Sequence, residues 1–147
     1  MASVIDVAKY ILQKVPGQIT AMKLQKLVYY AQAWSVVWDE EPLFDEEIRA
    51  WANGPVVQEL YNRHRGMFKV NPGIVQDGNI EALADNQKVA IDNVLDFYGD
   101  KTAQWLSDLT HMEDPWKITR KEAGLEDGDW GSPLITLASI EEYYSSL

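Results

Sequence analysis

The stretch Lys23-Leu24-Gln25-Lys26-Leu27-Val28-Tyr29-Tyr30-Ala31-Gln32-Ala33-Trp34-Ser35-Val36-Val37-Trp38 limits what this chain can fold into more than any other. At the helical period Leu24, Leu27, Val28, Ala31, Trp34 and Trp38 fall on one stripe. Tyr30, Ala33 and Val37 widen that stripe, Tyr29 and Val36 face away from it, and only Lys23, Gln25, Lys26, Gln32 and Ser35 interrupt the apolar surface. A helix apolar on nearly every side is one that neighbours surround. It is also too short, and too often polar, to span a bilayer. The expected fold class is mainly α, a single compact domain of about six helices around this central hydrophobic helix, with a small β-hairpin. At 147 residues, one domain spanning 1–147 can bury a real core.

The remaining elements follow from caps and breakers. Ser3 with Asp6 forms a weak capping box ahead of Val4, Val7, Ala8, Ile11, Leu12 and Val15, and Pro16-Gly17 ends that helix. Thr20 caps the central helix. Leu43-Phe44 and Ile48-Arg49-Ala50-Trp51 flank Asp45-Glu46 and read as the hairpin. Asn53-Gly54-Pro55 reads as a turn, with Pro55 opening a short helix through Val56, Val57, Leu60 and Tyr61. Ile74-Val75 facing Ile80 reads as a second small hairpin between turn signals. Asp85 is expected to cap a helix with Ile91, Val94, Leu95 and Tyr98 inward and Gly99 at its end. Asp100 is expected to cap the next, with Ala103, Trp105, Leu106 and Leu109 as its apolar face. A short turn or helix starts at Asp114-Pro115-Trp116, and residues 126–133 form a loop. A last helix, capped by Thr136 or Ser139, carries Leu137, Ile140, Tyr144 and Leu147 on one face.

Charge and composition narrow the function classes. The formal net charge of −10 opposes nonspecific binding to nucleic acid or to an anionic membrane, and suits a basic protein partner. There is no cysteine, so disulfides, zinc–thiolate sites and thiol nucleophiles are excluded. The first residues carry no basic region followed by an apolar run, so a cytoplasmic protein is expected.

Signals for chemistry are sparse. His64 lies between Arg63 and Arg65, which disfavour a protonated imidazole. His111, near Glu113 and Asp114, is the one candidate for general acid–base work. No histidine pair at metal-ligand spacing occurs, and no cofactor is expected. Asp127-Gly128-Asp129-Trp130-Gly131 fails the calcium-loop pattern, with Ala138 where the closing glutamate would stand. Arg63, His64, Arg65 and Lys69 form a dense basic cluster, a candidate partner- or anion-binding patch, with Lys117, Arg120 and Lys121 as a second. In a chain with 23 carboxylates, ordinary surface ion pairs account for such clusters equally well.

Three blocks together carry a family resemblance. The run Lys23-Leu24-Gln25-Lys26-Leu27-Val28-Tyr29-Tyr30-Ala31-Gln32-Ala33-Trp34 resembles the first signature of the Panacea antitoxin domain, which includes SocA-type antitoxins and phage-associated GepA proteins. Pro42-Leu43-Phe44 with Ile48-Arg49-Ala50-Trp51-Ala52-Asn53-Gly54-Pro55-Val56-Val57 resembles the second, and Leu109-Thr110-His111 with Pro115-Trp116 the third. The match runs from about Val4 to Tyr144. The resemblance implies a helical domain with small β elements. It also implies a non-enzymatic antitoxin of a bacterial or prophage system that neutralises a cognate toxin by direct contact. The toxins linked to the family are varied and include RNA-directed enzymes, which would suit a basic partner. The alternative is a phage counter-defence protein, or an adaptor that delivers its target to a protease. Most signature residues are expected to be structural, with Trp51, Gly54 and Pro55 holding the hairpin on the central helix. The outcome expected is a rigid body gripped from outside by another protein, its toxin and oligomeric state open.

Overall fold

Ser3 closes the first helix in both directions: its hydroxyl accepts from the Asp6 N–H and its own N–H donates to the Asp6 carboxylate. In the computed structural model, which describes Met1–Leu147, helix α1 therefore spans Val4–Lys14 and stops ahead of Pro16-Gly17. Thr20 caps the central helix α2, Ala21–Asp39, by accepting from the Lys23 N–H. There follow β1 (Ile48–Trp51), β2 (Gly54–Val57), α3 (Gln58–His64), two short 3-10 turns, α4 (Asp85–Tyr98), α5 (Ala103–Met112), α6 (Asp114–Glu122), β3 (Leu134–Ile135) and α7 (Leu137–Tyr144). Helices α1, α4, α5 and α7 and strand β2 all pack on α2. One apolar cluster of 33 buried residues fills the interior, and α2 supplies Ala21, Leu24, Leu27, Val28, Tyr29, Tyr30, Ala31 and Ala33 to it. No helix is long and apolar enough to cross a membrane.

The mainly α architecture with a small β element is as expected, and Ile48–Trp51 is one strand of the hairpin, but its partner is not Leu43-Phe44. Leu43 and Phe44 are buried without pairing in a sheet. Their N–H groups donate to Gln32 Oε1 at 2.7 and 3.4 Å, and the Phe44 carbonyl accepts from Gln32 Nε2 at 2.8 Å. A side chain of α2 thus takes the place of the missing strand. The true hairpin pairs β1 with β2 antiparallel, Ile48 opposite Val57 and Trp51 opposite Gly54. Pro55 lies in β2 rather than opening α3, and β2 is an outer strand of the order β2-β1-β3, where a missing N–H is tolerated. Strand β3, in a stretch the sequence reading leaves unassigned between the 126–133 loop and Thr136, completes the sheet against β1.

Other boundaries shift for local reasons. Residues 72–75 and 80–82 form 3-10 turns instead of a hairpin, because Asn71 and Asn79 each accept from an N–H two residues on. Thr102, not Asp100, caps α5, and Ala84 rather than Asp85 stands at the N-cap of α4. Trp105, Trp38, Leu137 and Leu147, assigned to inward faces, are exposed, while Leu106, Ile140 and Tyr144 are buried.

A polar network pins α7 to the core. Glu113 Oε1 accepts from the Tyr30 and Tyr144 hydroxyls, both at 2.7 Å, and the Tyr29 and Tyr144 hydroxyls are 3.0 Å apart. Tyr98 stacks on Tyr30 at 4.2 Å and accepts from Trp34 Nε1. Burial pushes the Glu113 carboxyl up from its usual range, against the pull of the two hydroxyl donors.

Gly54 is the tightest point between sheet and helix. Its φ is +122°, and a Cβ there would lie 2.5 Å from Lys26 Cε. Gly54→Ala combines backbone strain with a clash, so it should cost about 1–3 kcal/mol and lower Tm by several degrees in a thermal melt.

Candidate functional site

A groove of about 840 Å³ reaches the central helix at Met22, Gln25 and Lys26. Trp51, Ala52, Asn53, Val56 and Tyr61 form one wall, and Thr20, Ala21, Ala103 and Gln104 the other. Met67, Phe68, Trp130 and Gly131 make the rim. The central helix is walled in as expected, with Leu24, Leu27, Tyr30 and Ala31 fully buried, and the groove reaches it at Gln25 and Lys26, which are themselves buried.

Each floor residue is placed by the backbone it bonds. Gln25 Oε1 accepts from the Val57 N–H and its Nε2 donates to the Val57 carbonyl, so this one side chain pairs with β2 at the start of α3. That orientation aims the Gln25 amide donor at His64 Nε2, 2.9 Å away. His64 must accept there, which leaves its proton on Nδ1. Burial, aided by the Lys26 charge, holds the imidazole below its ordinary range. Lys26 is 1 % exposed, forms none of the salt bridges, and donates only to the Pro55 carbonyl at 3.3 Å. Desolvation lowers its amine to about 7.

The rim is rigid although its side chains are exposed. Phe68 is 76 % exposed, yet its carbonyl accepts from the Ala21 N–H at the start of α2, and Val70 donates to the Ile19 carbonyl. Trp130 is 89 % exposed on a loop held from several sides. Arg120 donates to the Asp129, Glu126 and Ala50 carbonyls, Trp51 Nε1 donates to Ser132 Oγ, and Ala50 N–H donates to the Pro133 carbonyl.

The other sequence candidates divide between core and surface. Leu24, Leu27, Tyr29 and Tyr30 are buried, Trp34 partly so, and Lys23 lies near the surface with its amine lowered by burial. Trp51, Val56 and Lys26 line the groove, while Gly54 and Pro55 shape it from behind. Pro115 and Trp116 are buried, and Trp116 Nε1 donates to the Trp51 carbonyl. His111 packs on Trp116 with centroids 3.9 Å apart, its Nδ1 2.6 Å from the Ser107 carbonyl and Nε2 3.2 Å from that of Ala52. It does not line the groove and contacts neither Glu113 nor Asp114. The basic cluster is dispersed: Arg63 pairs with Asp77 in a fork, His64 turns inward, Arg65 lies over the Tyr61 ring, and Lys69 stays exposed. Phe68, Met67 and Trp130 were missed because no helical or strand periodicity marks them. The only available sign was a large apolar residue alone among turn residues.

The Lys26 amine makes stability depend on pH. The unfolded chain holds that proton up to about pH 10 and the folded chain only to about 7, so folding releases it between these values. Stability should therefore rise by up to about 1.4 kcal/mol per pH unit from about pH 7.5 to 9, and fall as pH drops toward 7. Urea melts of Lys26→Met across that range should lack this slope.

A family model described as antitoxin SocA-like, Panacea domain, matches residues 24–117, from the second turn of α2 into α6. No curated protein and no solved structure matches the chain. The matched segment contains Gln25 and Lys26 of the floor and the wall from Trp51 to Tyr61. The chain belongs to the SocA-like antitoxin family defined by the Panacea domain.

Proposed function

We propose that this chain is a non-enzymatic antitoxin that neutralises a toxin protein by direct contact, and that the groove between α2 and the β1–β2 hairpin is the contact surface. The observation that carries this reading is the pair of highly exposed aromatics, Phe68 and Trp130, on backbone already fixed by hydrogen bonds. Large apolar side chains left in water around a concave surface mark an interaction site. Held rigidly, they lose little freedom on binding and serve as anchors. The family supports a toxin as the partner. The net charge of −10 supports a basic toxin, since complementary charge speeds encounter and sets orientation. The arrangement of His111 favours a structural histidine over a general base, because both of its nitrogens face backbone carbonyls within the fold.

The test is co-expression with the protein encoded beside this one. The unaltered chain should relieve toxicity and co-purify with it. Phe68→Asp with Trp130→Asp should weaken the complex by roughly 2 kcal/mol or more, about thirtyfold, and abolish rescue without changing Tm. Val89→Asp, at an exposed apolar position on α4, should leave rescue intact. Full rescue by the double variant would place the contact elsewhere.

A further inference from the structure

We propose that the groove receives an extended segment of the partner protein in which an acidic side chain, next to an apolar one, reaches the ammonium of Lys26. The inference rests on the groove being the contact surface and assigns the chemistry of what enters it. A buried ammonium normally has a carboxylate beside it, because an unpaired charge away from water costs several kcal/mol. Lys26 has none: of its three donor hydrogens, one meets the Pro55 carbonyl and the other two meet no acceptor.

Gly54 lets the Lys26 side chain lie directly against the hairpin backbone, since a Cβ there would come within 2.5 Å of its Cε and 3.1 Å of its Nζ. The groups facing the amine are the Pro55 carbonyl of β2, the Thr110 hydroxyl of α5 beside Gly54, and His64 of α3. Thr110 donates to the Ser107 carbonyl, and His64 accepts from Gln25, so neither neutralises the charge. Around this one cationic point the walls are apolar and aromatic, from Trp51, Val56, Tyr61, Met67 and Phe68. A carboxylate flanked by an apolar side chain matches both features at once. It would also be attracted here and repelled by the rest of the acidic surface, which gives the segment one register.

The amine of Lys26 is lowered to about 7 in the free protein, and an adjacent carboxylate favours its charged form. Docking therefore takes up a proton near neutral pH. A carboxylate also gives a role to a lysine at a position where a methionine would pack without desolvation cost.

The experiment is selection of a random twelve-residue peptide library against the folded chain and against Lys26→Met. The wild type should enrich peptides with Asp or Glu beside an apolar residue. Lys26→Met should keep the apolar preference, lose the acidic one, and bind an enriched acidic peptide about thirtyfold more weakly. Calorimetry of that peptide with wild type in phosphate and in Tris should show net proton uptake at pH 7.5. This measurement stands even if Lys26→Met fails to fold. Apolar enrichment without an acidic preference, or binding with no proton taken up, overturns the assignment to Lys26 while leaving the groove as a contact surface. No enrichment that Phe68→Asp removes would overturn the groove itself.

Discussion

Polar side chains buried on a central helix have to be satisfied by whatever surrounds them, and that requirement shapes this molecule. Gln25 bonds both backbone groups of Val57, Gln32 bonds those of Phe44 and the N–H of Leu43, Ser35 donates to the Glu41 carbonyl, and Lys26 donates to that of Pro55. Leaving any of these donors or acceptors unpaired in the interior costs about 1–3 kcal/mol. The helix therefore dictates where the chain between Glu41 and Val57 must run, since only backbone at those points completes it. Apolar burial holds the elements together, but these bonds set their register.

One turn further along the same helix, tyrosines take over. Tyr29 and Tyr30 point toward α7 and the α5–α6 junction, where Glu113 accepts the hydroxyls of Tyr30 and Tyr144. One turn of α2 thus carries a closed network and the turn before it an incomplete one. The Glu113 carboxylate there accepts from two donors, whereas the Lys26 ammonium meets one acceptor.

Much of this was legible in the residues. Caps at Ser3, Thr20 and Thr136 and the uniform apolarity of α2 identify the helices, because those signals are local. The hairpin was misplaced because Leu43-Phe44 looks like a strand in isolation, and only the distant Gln32 reveals that its backbone is already paired. Pro55 reads as a helix start for the same reason: its place on an outer strand depends on pairing with Ala50. The groove was invisible because its rim comes from Phe68 and Trp130, far apart in sequence and brought together by the start of α2 and by Arg120. Lys23 to Trp34 did stand out, but as core. That two of its polar members, Gln25 and Lys26, open onto a cavity is a fact of tertiary packing.

The struts beneath Phe68 and Trp130 have a consequence for how such a protein can change over time. They bind carbonyl and amide groups that every residue type possesses, and the two aromatic rings themselves take no part in the interior. Replacing either ring leaves the supports standing, so what these two positions present to solvent can vary almost independently of whether the chain folds.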